Sequence, residues 1–405
     1  ELPLVGSFVK GADVIPKLIN KFNPKFILSS TVGGDAKYSG FLNNLISVQD
    51  FEEELKNYFK VEYAVACSSG TSALHLAYAG IGINQKSLGI VPAITFAATA
   101  NALRYEGANV QFCDVEPETG LISIESLEEC LSKVPEEQLE QKNLIAPVSF
   151  AGSVPDLKSC RKLADKKNFF TVEDASHSPG AWYENQSGER TYSLSGVDTH
   201  ASTLSFHPVK HLCCGEGGAL LTNHSEIANK AANLRSHGIN RSNNETDERP
   251  WFYEQINLGW NYRLTDIQAA LGNSQLTRLD DQLLARRKIA QVYETAFAEY
   301  PFNKCFHTPE LTPGHSWHLF IIRFKKPGVR NHAYKFLKER GIMTQVHYIP
   351  VYRHPYYQKE YGNLHLEGAE QFFQSCLSIP MFPSLQTKEQ QEVIDQLGNF
   401  CHSQM

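Results

Sequence analysis

An α/β fold, with a mainly parallel sheet covered by helices on both faces and a smaller α+β domain after it, is predicted by three observations. Short apolar runs alternate with helical segments from Val61 to Asp174, the pattern of βαβ units rather than of hairpins. The 405-residue chain is 42% hydrophobic, enough for a substantial core in two lobes. After Asp266 one long helical stretch is followed by short mixed elements. The expected division is residues 1–285 for an N-terminal segment and large domain, and 286–405 for the small C-terminal domain.

Taken in order, the first fifty residues carry weak patterning. Val14 to Phe22 reads as a short helix and Ser29 to Gly34 as a loop. Phe51, Leu55, Tyr58 and Phe59 then recur at helical spacing, with Glu52, Glu53, Glu54 and Lys56 on the wet face. Val61 to Ala66 reads as a strand that turns through Cys67–Ser72 into a helix. Gly89 to Pro92, Asn109 to Val115, Leu144 to Phe150 and Phe169 to Val172 read as further strands. Helices over Thr95–Tyr105, Ile124–Leu131 and Val154–Lys167 separate them. Ala201 to Phe206 and Ala219 to Thr222 are two more short apolar runs. Beyond Asp266, a helix is expected through Ala269, Leu276, Leu283 and Ala290 toward Tyr300. Strands over His318–Phe324 and Gly341–Val346, and helices over His332–Arg340 and Glu389–Phe400, complete the small domain.

The formal net charge of −6 leaves no basic field for nucleic acid or an anionic membrane surface. No apolar run reaches transmembrane length, and no signal-peptide pattern opens the chain. Nine cysteines without a Cys-x-x-Cys pair suit reduced thiols in a cytoplasmic protein, and no metal site is expected. Cys213 and Cys214 read as small packing residues.

In a sheet of this kind ligands gather at the carboxyl ends of the strands, so the strand ends hold the candidate chemistry. Ser69-Gly70-Thr71-Ser72 stands between a strand and a helix N-terminus, as either a phosphate cradle or an ordinary cap. Phe96 offers a ring face to a planar ligand or packs in the core. Glu173-Asp174 follows an apolar strand, where a carboxylate needs a partner such as a protonated ring nitrogen. Ser205 to Lys210 ends another strand, with Gly215, Gly217 and Gly218 beyond it. Lys210 is either a solvated surface lysine or an amine in a partly dry site that can form a Schiff base. A phosphate cup, a ring stack, a carboxylate and a lysine together fit one cofactor, pyridoxal 5'-phosphate.

These motifs resemble the DegT-type nucleotide-sugar aminotransferases. The resemblance rests on Ser69–Leu74, Thr95–Asn101, Glu173–Ala175, Ser205–Lys210 and Gly259–Asp266. Phe206–Lys210 and Arg235–Ile239 resemble its branch of UDP-4-amino-4,6-dideoxy-N-acetyl-β-L-altrosamine transaminases. It implies the fold type I architecture, with a seven-stranded sheet in the large domain. It implies that Lys210 binds the cofactor covalently, Asp174 pairs with its ring nitrogen, and Thr71, Ser72 and Ser205 hold its phosphate. Phe96 would stack on the ring and His177 would lie near the phenolic oxygen. Asn261 would reach the phosphate of the neighbouring subunit's cofactor in a homodimer with shared sites. His207, Arg263, His347 and Tyr348 would meet the substrates, glutamate and a nucleotide-linked 4-keto-6-deoxy sugar.

The chain departs from the family in having Lys86-Ser87-Leu88 where Gly-Asp-Glu is usual, Cys213-Cys214 where Thr-Thr is common, and no Gly-Pro entry near the start. The favoured expectation is glutamate-dependent amination of a UDP-linked N-acetyl hexose for glycan biosynthesis. A C3 or C4 aminotransferase on a dTDP- or GDP-linked keto sugar, a sugar dehydratase on the same fold, and a non-catalytic cofactor-binding sensor are the alternatives. Neither nucleic acid nor a membrane is an expected partner.

Overall fold

The computed structural model describes residues 47–184, 187–188, 190–240 and 251–404. The helix read at Val14 to Phe22 and the loop at Ser29 to Gly34 lie outside them. Helix Val48–Phe59 opens on a capping box between Ser47 and Asp50 and buries Phe51, Leu55 and Phe59, the face its periodicity predicts. Burying such a side chain contributes roughly 1.5–3 kcal/mol, enough to seat this helix on the sheet.

Among the described residues, nine strands precede residue 225. They are β1 (Tyr63–Cys67), β2 (Leu88–Pro92), β3 (Asn109–Cys113), β4 (Asn143–Ile145), β5 (Phe169–Asp174), β6 (Trp182–Glu184), β7 (Arg190–Tyr192), β8 (Ala201–Ser205) and β9 (Gly218–Thr222). Seven form one sheet in the order β1-β9-β8-β5-β4-β2-β3, and β6 and β7 make a separate hairpin. Within the large sheet only β9 runs against its neighbours. The expected fold type I sheet is therefore present. Its parallel strands deliver their carboxyl ends to one edge.

The strand expected over Leu144–Phe150 is shorter. Pro147 cannot donate to a ladder, so the strand stops at Ile145, and Val148 makes a single bridge to Asp174. Phe150–Gly152 then form a 3₁₀ turn. The long helix expected after Asp266 is two, Asp266–Leu276 and Leu279–Phe297, separated at Thr277 and Arg278. The second passes from one core to another: Leu279 and Leu283 pack with the large sheet's cluster, Ile289 to Phe297 with the C-terminal cluster.

β10 (Ile239–Asn240) and β11 (Glu254–Gln255) pair as a short ribbon. The C-terminal sheet is β12 (Phe306–His307), β13 (Phe320–Phe324) and β14 (Cys376–Ile379). Gly341–Val346 is not a strand: only Gln345 bridges, to Ser378, because β14 occupies that edge of β13. Helices Val329–Lys338 and Thr387–Ser403 close the lobe. Among the described residues no helix is long and apolar enough to cross a membrane, and no group of side chains is arranged to hold a metal ion. All nine cysteines are free.

Candidate active site

Strand alternation decides between the two adjacent carboxylates at the end of β5. Glu173 turns into the interior, fully buried, and accepts from the hydroxyls of Ser149, Ser193 and Ser202 and from Leu194 N at 2.6–3.0 Å. Burial pushes its carboxyl up. Asp174 turns the other way. Its Oδ2 accepts from Thr99 Oγ1 at 2.7 Å, and its Oδ1 from Ser176 Oγ at 2.7 Å and Ser176 N at 3.2 Å. It faces a cavity of about 410 Å3, within the range of small-molecule sites.

β8 lies parallel to β5, with Thr203 opposite Asp174, so its end reaches the same cavity. Pro208 removes a backbone donor, and the chain turns there, closed by Lys210 N donating to His207 O at 2.9 Å. The turn places Lys210 in the cavity wall. Burial pushes its amine down to about 8, and the Asp174 charge only partly offsets this. An amine with that affinity for protons is neutral in a useful fraction near neutral pH.

The third wall is the N-terminus of helix Gly70–Ile81. Ser69 caps it, its Oγ accepting from Ser72 N at 3.0 Å. A Cβ on Gly70 would lie 2.7 Å from Ser205 Cβ, and one on Gly218 2.4 Å from Ser69 O. Only glycine lets the cradle approach β8 and β9 this closely. Thr71 and Ser205 line the cavity. Ser72 is buried, with its hydroxyl 3.1 Å from Ser68 Oγ and 2.9 Å from Ser69 Oγ, and it braces the loop from behind.

Phe96 lines the cavity while 61% exposed, its ring 6.0 Å from that of Tyr348. His177 is buried. Its Nδ1 accepts from Ala151 N at 3.3 Å, so the neutral ring carries its proton on Nε2, 3.4 Å from Tyr348 Oη. Burial holds the His177 imidazole well below its usual range, with Lys210, His347 and His211 adding to the effect. His347 is held by Ser378 Oγ at 2.8 Å and pushed down to about 4, by burial first and Lys210 second. Burial also pushes the Tyr348 phenol up. His207 and Glu216 stand 3.9 Å apart at the exposed rim.

Asn261 and Arg263 are exposed and do not line this cavity. Ten of the twelve residues singled out from the sequence are therefore at or directly behind the walls of one cavity, and two, Asn261 and Arg263, lie on the surface. Thr99 and Ser176, which orient Asp174, and His318, whose ring stacks on His177 at 4.2 Å, were not singled out. Thr99 follows Thr95 at helical spacing beside Phe96, and the two hydroxyls are 2.8 Å apart, a signal open to sequence reading. His318 lies 141 residues beyond His177 and gives none.

Residues 35–398 match the DegT/DnrJ/EryC1/StrS aminotransferase family. The chain belongs to this family. It is 36% identical over 352 residues, 86% of its length and 88% of the relative's, to the UDP-4-amino-4,6-dideoxy-N-acetyl-beta-L-altrosamine transaminase of Campylobacter jejuni. Among solved structures it resembles PseC of Helicobacter pylori, an aminotransferase involved in the biosynthesis of pseudoaminic acid. The TM-score is 0.77 at 30% identity, covering 87% of this chain and 90% of that one. It also resembles NtdA of Bacillus subtilis, solved with bound cofactor PMP, with a TM-score of 0.77 at 29% identity, covering 88% and 77%.

The aminotransferase uses pyridoxal phosphate, and the residues present fit it. The cavity is lined by the N-terminus of a helix with its hydroxyls, by a carboxylate to which no cationic side chain among the described residues is bonded, and by an amine of lowered proton affinity.

Proposed function

We propose that this aminotransferase moves an amino group from glutamate to a UDP-linked N-acetylated 4-keto-6-deoxy hexose, in the synthesis of an amino sugar for glycans. One observation carries the reading: Lys210, Asp174, His177, Thr71 and Phe96 converge on one cavity, in a chain 36% identical to a transaminase of such a sugar nucleotide. When bound, pyridoxal phosphate supplies the electron-withdrawing ring and the carbonyl through which the amino group passes.

The chain's own residues do the rest. Lys210 Nζ would anchor the cofactor and, once released as a free amine whose proton affinity burial lowers, would take the proton from the donor's α-carbon. Asp174, held by Thr99 and Ser176, would keep a proton on the ring nitrogen. Thr71 and Ser205 would donate to the phosphate, with Ser72 bracing them, and Phe96 would cover one face of the ring. His177 Nε2–H would face the phenolic oxygen. His207, His347 and Tyr348 meet the sugar. Two subunits pair, Asn261 reaching the phosphate in the partner's site and Arg263 gripping the donor carboxylate with its planar fork. The lobes divide near residue 285, where the helix Leu279–Phe297 changes core.

The test is incubation with glutamate and UDP-, dTDP- or GDP-linked 4-keto sugars. Release of 2-oxoglutarate with the amino sugar, and preference for the UDP substrate, is expected. No 2-oxoglutarate with any of them would overturn the reaction, and preference for dTDP or GDP would overturn the nucleotide.

A further inference from the structure

Gly259 to Leu264 packs against helix Gly70–Ile81 and bridges through Asn261 to Ser236, and its residues alternate. Trp260 and Tyr262 are half-buried, Leu264 is buried, and Asn261 and Arg263 are exposed. In an extended segment, whatever fastens one set of side chains aims the other set to the opposite side. The fastening is specific. His75, 4% exposed in the middle of the helix, has its ring 4.1 Å from that of Trp260. Its Nδ1 is 3.2 Å from Tyr262 Oη, and its Nε2 is 2.6 Å from Glu106 Oε1. The Trp260 and Tyr262 rings stack at 5.6 Å and 13°. The backbone is held too: Ser68 N donates to Tyr262 O at 2.8 Å, and Tyr262 N to Arg235 O at 3.0 Å. The helix that cradles phosphate in one site therefore also clamps the exposed segment, through a histidine braced from the far side by a carboxylate.

We infer that His75, held by Glu106, is a positioning residue for Asn261 and Arg263: it fixes Trp260 and Tyr262 so that the two exposed side chains leave the subunit in the direction the partner's site requires. This rests on the shared-site reading above. His75 does not line its own cavity. A hydrogen bond to a neutral partner is worth about a two- to tenfold change in an equilibrium, which sets the size of the effect.

Tyr262→Phe keeps the ring stack and deletes only the hydroxyl. His75→Asn keeps a group at the Nδ1 position, and His75→Gln one at the Nε2 position. In homodimers each variant should raise the KM for glutamate and the dissociation constant of the cofactor by about two- to tenfold, with kcat within about twofold. The deciding measurement uses purified heterodimers of a His75→Gln subunit with a Lys210→Ala subunit. The one site that retains Lys210 then receives its segment from the chain whose His75 is intact, and the KM should return to the wild-type value. A KM that stays raised would place the defect in the variant's own site and overturn the inference. The parallel heterodimer of Asn261→Ala with Lys210→Ala separates the two failures. If the Asn261 defect is relieved and the His75 defect is not, only the role of His75 falls. If neither is relieved, the shared site falls and takes this inference with it.

Discussion

The strand-end wall and the Gly259–Arg263 segment both carry residues singled out for the same reaction, yet they are built on opposite principles. At the wall, each functional group is held by partners within the chain: Asp174 by Thr99 and Ser176, His177 by Ala151 N, His347 by Ser378. Burial there shifts proton affinities, lowering those of Lys210, His177 and His347. In the segment, the backbone and alternate rings are fastened while Asn261 and Arg263 stand in solvent. A buried wall tunes chemistry; on the proposed shared site, the exposed pair would act outside its own cavity. Substitutions should therefore separate the regions by what they change, rates and proton affinity in the first and binding in the second.

The largest expected effect is at the wall. On the proposed mechanism Lys210→Ala removes the group that would both anchor the cofactor and move the proton, and turnover should fall by about 10²–10⁴-fold. Steady-state transamination checks this, and near-normal kcat would break the contrast at its centre. Asp174→Asn is smaller, because the cavity and most cofactor contacts remain. Loss of one charge-assisted interaction of about 1.5–3 kcal/mol predicts a rate lower by roughly one to two decades in the glutamate half-reaction. Single-turnover kinetics at saturating cofactor would show it; an unchanged rate would mean that Asp174 is merely structural.

How much of this could be read from the residues differs between the regions for a physical reason. Parallel buried strands are short apolar runs, so β1, β2, β3, β5, β8 and β9 stand out, and the groups at their ends follow. The strand after Leu144 was overextended because Pro147 ends pairing without ending the apolar run. In the small domain, Cys376–Ile379 follows helix Glu367–Ser375 with no turn residue between them, while Gly341–Val346 has strand composition and loses its edge to that strand. Asp174 was legible and its orientation was not, since Thr99 and Ser176 reach it only after the sheet has formed. His75 was read only as part of a helix. Its partners Glu106 and Tyr262 are 31 and 187 residues away, and no local pattern announces such a clamp.

A third measurement sharpens the burial side of the comparison. Lys210 has its folded-state value pushed down from 10.5 to about 8. Below pH 8 the amine is charged in folded and unfolded chains alike, and the folded chain bears the whole cost of drying it. Between pH 8 and 10.5 the unfolded chain still holds the proton that the folded chain has released, so stability rises with pH. Lys210→Met, of similar length and apolar, should stabilise the cofactor-free protein at pH 7 by about 1–3 kcal/mol, allowing for the partly wet stem. The gain should shrink steadily as pH rises from 8 toward 10.5. Denaturation of both proteins across that range tests it, and a difference independent of pH would show that the lysine stem, not its charge, sets the effect.

The smallest effect belongs to the exposed segment and tests the contrast most sharply, because it should be silent in the fold. Asn261 makes one backbone bridge, to Ser236, and its side chain is exposed. Asn261→Ala should leave subunit stability within about 0.5 kcal/mol of the parent, as for other surface positions. If its amide reaches the phosphate in the partner's site, losing that one contact should raise the cofactor's dissociation constant by about two- to tenfold. The proton affinity of Lys210 should not move, since burial and Asp174 within the same chain set it. Fluorescence titration of the cofactor-free protein gives the affinity, and the pH dependence of Lys210 modification by an amine reagent in the cofactor-free protein gives the amine. A change in the titration with no change in affinity would reverse the assignment, making the segment part of its own subunit's wall rather than a strip offered to another.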